Sequence, residues 1–67
     1  MNNKPLLADL MESLLFLLNE GWINIEQIKG ILLEKYKVNK TEYHHKDSSS
    51  VYKMICHQEG IITTVEI

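Results

Sequence analysis

From Leu6 to Leu18 apolar side chains return every three or four positions, with Asp9, Glu12, Ser13 and Asn19 between and beyond them. That period is the signature of an α-helix with one buried stripe, and Phe16 widens the stripe toward a second covered side. Pro5 suits a first helical position after Asn2 or Asn3, and Gly21 suits the left-handed residue that closes a helix. A second helix is predicted from Asn24 to about Lys37. Asn24 and Gln27 stand three apart as a capping box, Ile23 can staple onto Ile28, and Ile25, Ile28, Ile31, Leu32 and Tyr36 follow at helical spacing. Gly30 interrupts that helix at a cost of up to ~1 kcal/mol relative to alanine, a place for close packing against a neighbour.

The next thirteen residues, "VNKTEYHHKDSSS", are polar except for Val38 and Tyr43 and predict a loop. A third helix is then expected from Asp47 or Ser48 to Gly60. Side-chain oxygens at its start can cap the first turn, and Val51, Tyr52 and Ile55 face inward with Met54 and Cys56 beside them, while Lys53, His57 and Gln58 stay outside. The closing "IITTVEI" is β-branched except for one glutamate and alternates between two faces, which predicts a strand. A strand needs a partner for its backbone, and the only other strand-like piece is "GWINI" between the first two helices. The expected fold is mainly α with a small β element: three helices and a C-terminal strand in a single domain over residues 1–67.

Composition narrows the class. An apolar content of 45% describes a globular chain, and 67 residues are near the lower limit for folding without a covalent or metal staple. Cys56 stands alone, so no internal disulfide can form, and a single thiol suits a reducing cytoplasm. The longest apolar run, Leu14–Leu18, is far shorter than the ~20 residues of a membrane span, and no basic leader precedes it. The expectation is a soluble cytoplasmic protein.

Charge is unevenly spread. Seven lysines and no arginine face nine carboxylates for a formal charge of −2, yet residues 29–53 carry six of the lysines against Glu34, Glu42 and Asp47. Such asymmetry marks either a binding face or a solvated middle.

"INIEQIKGILLEKYKV" followed by "SSSVYKMICHQEGIITTVEI" resembles the winged helix-turn-helix superfamily, the second segment standing where a recognition helix leads into a wing. The resemblance implies a winged-helix-like domain whose third helix enters a DNA major groove by its N-terminal end. Ser48, Ser49, Ser50 and Lys53 are then the positions nearest the DNA. Serine hydroxyls and helix-start amides suit phosphates, and Lys53 suits a guanine edge or a phosphate. Lys40, Tyr43, His44, His45 and Lys46 would run along the backbone.

No catalytic or cofactor signature stands out. His44, His45, Cys56 and His57 have metal-ligating atoms, but adjacent residues on a helix point about 100° apart, so neither a metal site nor a nucleophile–base pair is expected. The apolar surplus of Leu6–Leu18 and the unpaired strand at Ile61–Ile67 point to association. Two readings remain open. One is a DNA-binding regulator of transcription acting as a homodimer. The other is a protein-binding inhibitor or adaptor that docks on a larger transcription or nucleic-acid-processing protein. Neither requires an enzyme activity, a cofactor, a small-molecule substrate or a membrane.

Overall fold

The computed structural model describes residues 6–45 and 51–67. Two helices are followed by three strands: α1 at Leu7–Glu20, α2 at Ile25–Tyr36, β1 at Lys40–His45, β2 at Val51–Gln58 and β3 at Ile61–Glu66. The strands form one antiparallel sheet in the order β1-β2-β3. The result is a two-layer α+β fold with the helices packed on one face of the sheet.

The helical half follows the periodicity. Gly21 takes φ 84°, and the Gly21 and Trp22 amides donate to the Leu18 and Leu17 carbonyls, closing α1 with the pattern its glycine predicts. "GWINI" is therefore this turn rather than a strand: the Gly21 and Trp22 amides are spent on the helix end and the Asn24 amide on the next cap. The Asn24 side chain accepts from the Gln27 amide at 2.8 Å, and the Gln27 side chain accepts from the Asn24 amide at 2.9 Å, a complete capping box. Lys37 ends α2 in a left-handed conformation at φ 61°, unusual for a side chain with a Cβ. Asn2, Asn3 and Pro5, expected to start α1, lie outside the described residues.

The C-terminal half corrects the expectation of three helices. Residues 51–58 are strand β2, and "KTEYHH" within the expected loop is strand β1. Tyr52, Met54 and Cys56 alternate with Lys53, Ile55 and His57, a period of two, and β-branched and aromatic residues are frequent in both segments. Gly60 closes no helix. With Glu59 it forms a two-residue connection between the paired ends Gln58 and Ile61, and its φ of 76° supplies the left-handed position. The strand expected over Ile61–Ile67 is present as β3, and its partner is β2.

The core is built from Met11, Leu14 and Leu15 of α1, Ile28 and Leu32 of α2, Val38 of the α2–β1 connection, and Met54 and Cys56 of β2, all buried. The apolar stripes of α1 and α2 thus meet the inner face of the sheet as their spacing requires. α1 rests on β2 and β3. The Gln58 side-chain Nε2 donates to the Tyr36 carbonyl at 2.8 Å and ties the end of α2 to the end of β2.

Candidate functional site: the open face of the sheet

Strand alternation gives the sheet two chemically different faces. Directly paired residues share a face, so the register places Thr41, Tyr43, Met54, Cys56, Thr63 and Val65 on the helix-covered side. The opposite side carries Lys40, Glu42 and His44 from β1, Lys53, Ile55 and His57 from β2, and Ile62, Thr64 and Glu66 from β3. Both helices lie on the first side, and among the described residues nothing covers the second.

The open face has an apolar middle and a charged surround. Ile55 sits in the central strand and is half-buried. Ile62 lies on the diagonal from it, beside His57, and is 65% exposed. Around them Glu42 collects two imidazoles: His57 Nε2 donates to one carboxylate oxygen at 2.5 Å, and His44 Nε2 stands 3.4 Å from the other. These hydrogen bonds, the His57 one foremost, hold the Glu42 carboxyl below its ordinary range, and the Lys40 ammonium adds to the effect. Lys53 and Glu66 pair across β2 and β3 at 4.0 Å. Two lysines are thereby matched by two glutamates, and the face presents no excess of positive charge.

Of the residues expected to meet DNA, Lys40, His44 and Lys53 share this face. Tyr43 does not: its ring packs on the core from the inner face, where burial raises the phenol above its usual titration range. His45 is exposed at the end of β1, where the register shifts after His44. Lys46, Ser48, Ser49 and Ser50 lie outside the described residues. Lys53 sits in the middle of a strand rather than on a helix, so the geometry inferred for a groove-reading helix does not apply to it.

Glu42, Ile55 and His57 join the face although the spacing read as loop and helix gave them no common place. The alternation in "YKMICHQ" was the signal that could have found Ile55 and His57. Glu42 required the register itself, because fifteen residues separate it from His57. Glu42, His44 and His57 bring together atoms that ligate metals, but among the described residues no group of three or more such side chains has an arrangement that could hold an ion. Cys56 is buried on the inner face and its thiol is pushed up to about 11, which suppresses the nucleophilic thiolate. Among the described residues no helix is long and apolar enough to cross a membrane. No family model matches the sequence, and comparison with curated proteins and with solved structures returns no match.

Proposed function

We propose that this chain is a small non-catalytic binding module, an adaptor or inhibitor that docks on a larger protein through the open face of its sheet. The observation that carries the reading is the pairing of an uncovered Ile55–Ile62 centre with a charge-balanced surround. An apolar centre ringed by polar groups is the anatomy of protein–protein interfaces. The surround supports the same choice, since Glu42 and Glu66 sit beside the cations and would repel phosphates. A partner of matching chemistry carries its own apolar patch and both signs of charge.

The nucleic-acid reading keeps one supporting observation, the shared face of Lys40, His44 and Lys53. Ile55→Lys separates the two readings. The new ammonium stands opposite Glu42, so the sheet accommodates it, while the apolar centre is lost and positive charge is added. Affinity capture from cells of the source, followed by mass spectrometry, should return a partner with the wild type that Ile55→Lys does not retain. A fluorescence-anisotropy titration of duplex DNA at low salt should show no binding by the wild type. Equal capture by both proteins removes the open-face reading. Salt-sensitive DNA binding that Ile55→Lys strengthens replaces it with the nucleic-acid one.

A further inference from the structure

The two edges of the sheet differ in how they are protected. β1 is the kind of edge that resists further pairing: it carries Lys40, Glu42, His44 and His45 and has a register irregularity at its end. β3 has one charged residue, Glu66, contains no proline, and pairs with β2 without irregularity. Its flanks are apolar and open, with Ile61 57% exposed and Ile67 40% exposed.

The backbone of β3 is also aimed outward in a definite pattern. The Ile67 amide donates to the Tyr52 carbonyl of β2. Hydrogen-bonding direction alternates along an antiparallel strand, so Val65, Thr63 and Ile61 also point toward β2. Ile62, Thr64 and Glu66 therefore turn their N–H and C=O groups to the free edge. About Thr64 the segment is nearly palindromic: Ile61 answers Ile67, Thr63 answers the similarly shaped Val65, and only Ile62 and Glu66 differ.

We propose that the free edge of β3 is the seam of a homodimer, in which a second copy of this chain pairs antiparallel across a two-fold axis at Thr64 and joins the two sheets into one. A self-complementary strip is what a two-fold interface demands. In this register every outward-pointing residue of β3 exchanges its backbone bonds with the copy. Ile61 and Ile67 face one another on the inner side in non-hydrogen-bonded positions, where side chains approach closest. Because α1 rests on β2 and β3, the axis sets its mate two strand spacings away, about 10 Å, the distance of close-packed helices. Leu6, Phe16 and Leu17, on α1 or at its start, are left open, and Leu6 and Leu17 lie on one flank of that helix. The open face stays free in such a dimer and is presented twice, so this inference does not depend on what that face binds.

The two-fold gives a test specific to the seam. Thr64 is exposed, so its replacement leaves the monomer fold intact, but at the axis it faces its own copy. Thr64→Lys and Thr64→Glu should each weaken self-association by about tenfold, since like charges then stand opposite one another. An equimolar mixture of the two should associate at least as well as the wild type. Sedimentation equilibrium reads all three, with circular dichroism melts confirming that each variant is folded. The expected wild-type result is a mass approaching twice the 7.8 kDa of the chain as concentration rises. A wild type that stays at 7.8 kDa overturns the proposal. So does a dimer that either charged variant leaves unchanged, or a mixture that associates no better than its components.

Discussion

Met54 is fully buried beneath the helices, while Ile55, next in the chain, stands half-buried on the open face. Leu14, Ile28 and Ile55 all belong to apolar stripes if residues 51–58 are helical, and each would then be a core residue. Leu14 and Ile28 are buried, but Ile55 gives its place to Met54 and Cys56, because a strand sends successive side chains to opposite faces. The energetic consequence is a large difference between neighbours. Met54→Ala removes buried volume from a close-packed layer and should cost ~2–5 kcal/mol. Ile55→Ala, which leaves no enclosed cavity, should cost about 1 kcal/mol or less. Urea melts of the two variants check the assignment, and equal losses would mean that the faces of β2 are reversed. The capping residues Asn24 and Gln27 and the terminating Gly21 were readable one position at a time, because each acts on backbone groups within a few residues of itself.

Among the elements, α1 and α2 emerge from their periodicity, α1 closed by Gly21 and α2 opened by its capping box, whereas β1 and β2 do not. A strand declares itself weakly in sequence, since its hydrogen bonds lie in other segments and its propensity depends on what it packs against. In β1 only Thr41 and Tyr43 face the core, too few to stand out against four charged or titratable neighbours. The tie between β1 and β2 includes the Glu42–His57 contact, with His44 of β1 beside the same carboxylate, and this makes their pairing sensitive to acid. The folded Glu42 carboxyl titrates below its ordinary 4.5. Its contribution to stability is therefore fully present above that value and is lost as pH falls through the lowered one. Glu42→Gln removes the titrating group. Its denaturation midpoint should lie below that of the wild type near neutrality, and the two should converge as the pH is taken well below 4.5. Parallel pH profiles would show that the carboxylate adds nothing to the fold.

At the scale of the molecule, one layer of helices covers one face of a three-stranded sheet, and among the described residues two edges and one face are left to solvent. A domain of this size buries a limited core, and all of it is shared between the layers. Cys56 reports on that arrangement because it lies within the core and its thiol is held up at about 11. A thiol reagent at neutral pH should modify Cys56 only as fast as the protein opens, with the rate rising steeply through the urea transition. Modification of the native protein at the rate of a free thiol would mean that the helical layer does not cover β2. The proposed docking face and the proposed seam meet at Thr64, whose backbone lies on the free edge and whose side chain stands opposite Ile55 on the open face. Charge at Ile55 leaves the β3 edge unchanged and should leave self-association unaffected, whereas charge at Thr64 stands beside the apolar centre and should weaken both partner capture and self-association.

The sequence by itself determined the helical half, the strand character of residues 61–67 and the absence of an internal disulfide. Those features rest on local periodicity, capping and cysteine count, all of which act within one segment. Only the tertiary structure decided that "VYKMICHQ" is the central strand. Its mixture of apolar and polar residues fits a helical stripe almost as well as an alternation, and the choice falls to β1 and β3, which complete its backbone hydrogen bonds on either side. The same pairing gathers Glu42, His57, Ile55 and Ile62 on one face, since side chains far apart in the chain become neighbours only when the register is fixed.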